Sequence, residues 1–202
     1  MPIEYVTRPT TLAVSLEEAK VAARIDADLT EEDSFVTSLI KTGTELCQDL
    51  LSRQLCPATR RMWLDKFPRL HGGLIELPFG PLVEVSSIKY RDGSDELVTL
   101  DPEAYDVDEI SLPPRLRPAP GYSWPSTIAR LNAVQIEYDC GYTDADAVPE
   151  KVKSVIKLLV SHWYKNREAV LTGTISGPIA FAVQALLDVE WDGSYTYVGE
   201  ET

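Results

Sequence analysis

Two histidines, three cysteines and a few clusters of acids are the residues whose types could do chemistry in this 202-residue chain. His71 lies in His-Gly-Gly, a loop-like setting, and His162 lies at the edge of an apolar helical face, where it reads as a core-edge residue. No serine sits in a Gly-x-Ser-x-Gly elbow, and no glycine-rich phosphate loop precedes a helix. A Cys–His nucleophile needs a pairing that the spacing does not offer. Cys47, Cys56 and Cys140 are odd in number and irregularly spaced, so they read as reduced core thiols of a cytoplasmic protein. Asp26-Ala-Asp28-Leu-Thr30 begins like a calcium loop, but Glu31 stands where that loop needs glycine. Asp106, Asp108 and Glu109 alternate near a strand end, and Asp144 and Asp146 follow Gly141-Tyr142. Metal-dependent hydrolysis is the chemistry such acids would support, set against the plainer reading of carboxylates facing water at turns.

The elements that must position these residues begin with a helix predicted over residues 148–170. Pro149 suits its first turn, and Glu150, Lys165 and Arg167 complement its dipole. Val152, Val155, Ile156, Leu159, Trp163 and Val170 fall on one face, with Lys153, Lys157, Ser161, Tyr164, Lys165 and Glu168 roughly opposite. The lysines read either as a solvated face or as contacts to an acidic neighbouring subunit or a nucleic-acid backbone. A short helix is expected over 15–25, where Ser15 and Glu18 are spaced for a capping box. A longer one should run from a Thr30 cap to about Ser52, with Glu31, Glu32 and Asp33 in its first turn. That helix carries two adjoining apolar seams, one with Phe35, Leu39, Leu46 and Leu50, the other with Val36, Ile40, Cys47 and Leu51. Gly43 lies between them, where a small residue permits close approach. Both seams fit a central core helix; alternatively one faces the fold and the other a second subunit.

From Ala58 the period changes. Residues 58–67, 74–78, 83–91, 96–100, 105–107 and 133–140 alternate like about six short strands, and Arg91-Asp92-Gly93-Ser94-Asp95 reads as a hairpin turn in which Asp-Gly supplies positive φ. Pro78, Pro81, Pro113, Pro114, Pro118, Pro120 and Pro125 confine these strands to short pieces and edges. After the third helix, residues 172–177 form a flexible joint. Pro178 then opens a short helix to about Asp188, on which Ile179, Phe181, Val183, Leu186 and Leu187 spread widely, as in a helix buried by a partner or by the core. An acidic, aromatic stretch from Trp191 closes the chain.

The length is ample for a core without metal or disulfide staples. No apolar run is long enough to span a membrane, and the amino terminus lacks the basic start and apolar stretch of a secretion signal. A formal charge of −13 argues against general affinity for nucleic acid. It suits ordinary solubility, or the wall of a channel along which DNA slides without binding.

The order of the elements, with the phrases VSLEEAKVAARID, EEDSFVTSLIKTGTELCQDLLSRQL, IELPFGPLVEVSSIKYRDG, GYSWP, EYDCGYTDADAVPEKVKSVIKLLVSHWYKNREAV and PIAFAVQALLDVE, resembles the head–tail connector (adaptor) proteins of long-tailed bacteriophages and gene-transfer particles. The resemblance runs over nearly the whole chain; the acidic aromatic extension matches no part of it. It implies an α+β fold, a helical bundle core with an inserted small antiparallel β-sheet or open barrel and a C-terminal docking helix. In these terms residues 1–57 hold the first core helices, 58–147 the β-rich insertion, 148–171 the long core helix, and 172–202 the joint, docking helix and tail. It also implies a homo-oligomeric ring of about twelve copies closed by head-to-tail contacts. That ring sits under the portal protein and extends the DNA channel toward a stopper or tail-terminator protein, in the neck of a virion assembled in host cytoplasm. No catalytic residue, metal, cofactor or membrane contact is implied.

Docking onto the portal maps to Ile179, Phe181, Val183, Leu186, Leu187 and Trp191. Contacts between subunits map to Val36, Ile40, Gly43, Cys47, Lys153 and Lys157. A different virion ring, such as a tail completion protein, satisfies the same features.

Overall fold

A computed structural model describes residues 1–167 of the chain. They divide into two compact units. One joins Met1–Pro9 to Pro57–Gly141, and the other joins residues 10–56 to residues 142–167.

The second unit is helical. Its first helix, α1, spans Leu16–Ala23 and starts at the expected capping box: the Glu18 N–H donates to Ser15 Oγ at 3.2 Å, and the Ser15 N–H donates to a Glu18 carboxylate oxygen at 2.9 Å. Arg24 closes it in the left-handed region, with φ 59°. The loop that follows is organised around a buried cation supplied by the chain itself. The Lys20 ammonium donates to the carbonyls of Ala27 and Leu29 at 3.2 and 3.0 Å and pairs with Asp33. Backbone carbonyls that a calcium loop would turn to metal are therefore turned to Lys20.

Helix α2 spans Asp33–Leu51. Thr30 does not cap it; Glu32 occupies the cap position without a side-chain bond to the helix, because its carboxylate is drawn to Tyr164 and Arg167. Past its end, Gln48 stitches the chain back: its Oε1 accepts from Gln54 Nε2 and from the Leu55 N–H, each at 3.0 Å. Helix α3 spans Glu150–Lys165, beginning just after Pro149.

All three helices contribute to one core, in which Ala19, Val36, Ile40, Cys47, Val155, Ile156, Leu159 and Val160 are fully buried. Each large aliphatic side chain there stabilises the fold by about 1.5–3 kcal/mol relative to exposure.

The first unit holds eight strands in two antiparallel sheets. The strands are β1 (Ile3–Thr7), β2 (Ala58–Leu64), β3 (Ile75–Glu76), β4 (Leu82–Arg91), β5 (Leu97–Thr99), β6 (Tyr105–Asp108), β7 (Arg115–Pro118) and β8 (Val134–Cys140). The larger sheet runs β1-β2-β8-β4-β5 and the smaller β3-β7-β6. Strict alternation on β2 and β8 sends Met62, Val134, Ile136 and Tyr138 inward, where they meet Ile75 and Leu116 of the small sheet. Two strands add to the six expected. β1 is a short edge strand with only half-buried side chains inward, and β7 lies among prolines. The hairpin between β4 and β5 forms as expected, for a different reason: Asp95, not Gly93, takes the positive φ of 63°. Asp92 Oδ1 accepts from the Ser94 and Glu96 N–H groups at 2.8 and 3.0 Å.

Arg60 is the buried charge of this unit. Its guanidinium lies 4.1 Å from the Tyr5 ring centroid and 3.7 Å from that of Phe79, and donates to Tyr5 Oη at 2.6 Å. Elsewhere in the unit, packing turns on Gly73, whose φ is 77°. A Cβ there would fall 2.7 Å from Trp124 Nε1, the group that donates to the Gly73 carbonyl at 2.6 Å.

Candidate assembly surfaces

The seam expected to face a neighbouring subunit is covered by the chain's own third helix. Val36, Ile40 and Cys47 have no exposed surface. Gly43 faces α3 so closely that a Cβ would stand 3.5 Å from Ile156 Cγ2 and 3.6 Å from Trp163. These four residues are core, which corrects the inter-subunit assignment: the close approach that Gly43 permits is to α3. Burial also lifts the Cys47 thiol to about 12, as it does that of Cys140 in the β unit, so both are unreactive.

The two lysines separate. Lys153 is not on a solvated face; it is 5% exposed, and its ammonium is held by Glu150 at 2.5 Å, a hydrogen bond that raises its pKa. A long aliphatic stem lets lysine cover apolar surface while its head reaches water or a partner, and helical periodicity assigns it by its head alone. Lys157 is half-buried and stands 3.9 Å from Glu18 of α1. The expected docking residues Ile179, Phe181, Val183, Leu186, Leu187 and Trp191 lie outside the described residues, as do the joint and the acidic stretch.

Where α3 ends, the chain is tied down. Tyr164 Oη donates to the Glu32 carboxylate, and Arg167 Nη2 donates to both its oxygens at 2.7 and 2.8 Å. These bonds, Tyr164's first, hold Glu32 below its usual carboxylate range. Arg167 also lies over the Phe35 and Tyr164 rings. Sequence reasoning assigns Arg167 to a helix dipole; in the fold it makes a fixed exit point beside the start of α2.

Three of the clustered carboxylates already have partners. Asp108 accepts from the Ser111 hydroxyl at 2.7 Å and from Arg115 Nη2 at 2.5 Å, and these bonds hold it far below the usual carboxylate range. Asp106 pairs with Arg117 across the β6–β7 ladder, and Asp144 accepts from the Ala147 N–H at 2.8 Å. At Asp106 and Asp108, guanidinium groups thus stand where a metal-dependent hydrolase would need a cation. Among the described residues no group of three or more His, Cys, Asp or Glu could hold a metal ion. No described helix is long and apolar enough to cross a membrane.

Two exposed features fall outside the sequence-based expectations. On the β unit, Ile110 is 95% exposed, with Leu70 and Leu131 nearly as open. On the helical unit, α1 and α3 leave between them a groove of about 510 Å³. Val21, 77% exposed, lines it with Ala22 and Leu158, and Glu18 and Lys157 stand at its edge. A signal for the groove does exist in the chain: Val21 lies off the buried face of α1 defined by Ala19 and Ala23.

No family model matches the sequence, and no curated protein matches it. Solved structures do share the fold. A chain from the virion of a native gene transfer agent (GTA) particle superposes with a TM-score of 0.75 at 20% identity, over 95% of each chain. A chain from the neck of an empty GTA particle, computed with C6 symmetry, gives 0.72 at 20% identity, again over 95% of each. A chain from the neck of a native GTA particle, computed with C12 symmetry, gives 0.69 at 19% identity, over 95% of this chain and 94% of that one. At such identities the likeness is one of fold, and it extends over nearly the full length of both partners.

Proposed function

We propose that the chain is a non-enzymatic structural protein of a phage-like virion neck. In this reading it is a head–tail adaptor that forms a ring of about twelve copies under the portal, extends the DNA channel and joins the capsid to the stopper or tail. The observation that carries the reading is the fold shared with GTA neck chains over nearly the whole length of both, rather than over one module. One of those necks was computed with C12 symmetry and the other with C6, and a ring of twelve copies is compatible with both. The side-chain chemistry points the same way: carboxylates paired to arginine, thiols buried, and a net charge of −13 that keeps DNA from adhering to a channel wall.

In this assembly residues 179–191 dock on the portal. With the α2 seam in the core, subunit contacts fall to surfaces such as the half-buried edge at Lys157 and the exposed apolar residues of the β unit. Removal of the gene from a producing strain tests the proposal. Particles should arrest as DNA-filled heads without tails, and antibody to the chain should label the head–tail junction of complete particles. Tailed, functional particles at normal yield without the protein would overturn it.

A further inference from the structure

The loop between β6 and β7 projects an apolar side chain, and the surface between α1 and α3 offers an apolar recess. We infer that the two meet between copies of the chain: Ile110 of one copy seats on the α1–α3 surface of the next. This rests on the ring reading above and names a contact by which such a ring closes.

Three observations carry it. The first is that the loop is built to hold Ile110 in water. Asp108 Oδ1 accepts from the Ile110 and Ser111 N–H groups at 3.2 and 3.1 Å. Its Oδ2 accepts from Ser111 Oγ and from Arg115, and Arg115 Nη2 also donates to Ser111 Oγ at 2.7 Å. At the base of the loop Pro113 and Pro114 are buried, and the Leu77 N–H donates to the Pro114 carbonyl at 2.8 Å. The backbone is thus tied on both sides of a side chain that is 95% exposed. A group displayed on a fixed backbone loses little freedom when it binds.

The second is the form of the receiving surface. On α3, Leu158 lies between Ser154 and Ser161, and the Ser161 hydroxyl is turned back to the Lys157 carbonyl at 2.8 Å. Short side chains on either side of Leu158 leave a shallow recess beside Val21 and Ala22 of α1. A recess of this shape takes one protruding aliphatic group and is too open to enclose a small ligand.

The third is charge. Lys157 stands at the rim, and its pair with Glu18 is long at 3.9 Å, so its ammonium has donors to spare for a second carboxylate. Glu109, exposed, directly precedes Ile110. The other widely open apolar residues of the β unit, Leu70 and Leu131, directly follow Arg69 and Arg130, which carry the same sign as Lys157. Ile110 is therefore the projecting residue whose flank suits this rim. Loop and recess are different surfaces, so the contact is head-to-tail, the kind that closes rings.

The test uses complete particles from a producing strain that carries Ile110→Cys together with Val21→Cys. The three native cysteines are buried, so the parent is the control for a short bismaleimide cross-linker. Expected is a ladder of linked dimers, trimers and higher species in the double variant, and none with either single change. Glu109→Cys with Ser154→Cys, both exposed positions, should give the same ladder if loss of the apolar pair weakens assembly. Burial of one isoleucine is worth about ten- to a hundredfold in association, so Ile110→Asp should cut the yield of tailed particles by about tenfold or more. Ile110→Leu should keep it, and the circular dichroism of both free proteins should match the parent.

Particles whose necks bind antibody to the chain, yet give no linked species with either cysteine pair, would overturn the contact and leave the neck reading standing. A product confined to the mass of one chain would overturn it too, as would a ladder from Ile110→Cys alone, which would pair loop with loop. Absence of the chain from complete particles would overturn the neck reading and this contact with it.

Discussion

Gly43 gives the sharpest test of how α2 meets α3. A methyl group at this position would lie 3.5 Å from Ile156 Cγ2 and 3.6 Å from Trp163, which is ordinary van der Waals contact. Replacing a mid-helix glycine by alanine gains about 1 kcal/mol in helix propensity, because the unfolded chain loses less freedom. Gly43→Ala should therefore stabilise the protein by about 1 kcal/mol. Gly43→Leu gains nearly the same propensity but drives further carbons into space held by Ile156 and Trp163. Overpacking of this kind costs about 1–3 kcal/mol, so the leucine variant should fall below the parent.

Urea unfolding followed by helical circular dichroism separates the two. With a slope of about 1–3 kcal/mol per molar, 1 kcal/mol moves the midpoint by roughly 0.3–1 M, upward for alanine and downward for leucine. A fall of the alanine midpoint by about 0.5 M would mean that α2 and α3 approach more closely than the structure has them. A leucine variant as stable as the parent would mean that the Gly43 face is open, and would return this seam to a neighbouring subunit.

Other outcomes follow from the same geometry. Ser15→Ala removes one half of the α1 capping box and should cost about 1 kcal/mol in the same unfolding experiment. Glu18, Glu32 and Asp108 all have carboxyl pKa values lowered in the folded state, Glu18 by the Ser15 N–H, Glu32 by Tyr164, and Asp108 by Ser111. Their contribution is full above the unfolded carboxylate value of about 4 and is lost as pH falls below it, so the melting temperature should drop between about pH 4 and pH 2. Asp108→Asn should flatten that drop. Cys47 and Cys140, with thiols lifted to about 12, should resist a thiol reagent at pH 8 until denaturant is added. Immediate labelling of either would refute their burial. Gly73→Ala should destabilise the β unit, since it combines a positive φ with a 2.7 Å contact to Trp124, and loss of Trp124 fluorescence anisotropy at lower denaturant would report it.

Much of the local structure is legible along the chain because it depends on neighbours in sequence. The Ser15–Glu18 box, the period-2 runs of β2 and β8, and the turn after Arg91 are each set by residues within a few positions of one another. The apolar face of α3 is equally plain, since Val152, Val155, Ile156, Leu159 and Trp163 recur at helical spacing. Charge and composition likewise argue against general nucleic-acid affinity with no fold in hand.

What tertiary structure alone decides concerns partners distant in sequence. Whether the seam of Val36, Ile40, Gly43 and Cys47 is core or interface depends on what covers it, and α3, more than a hundred residues away, does so. Glu32 is drawn from its expected helix-start role by Tyr164 and Arg167, and Asp106 and Asp108 meet arginines only once β6 and β7 are paired. Periodicity counts charged heads and so puts Lys153 on a wet face, while its stem is buried and its head is held by Glu150. Strand β1 escapes a sequence reading because its reason to exist is the backbone of β2, some fifty residues on. A sequence sets the period of an element through local sterics and hydrogen bonding; which face meets which partner is settled only when chain segments far apart compete for the same surface.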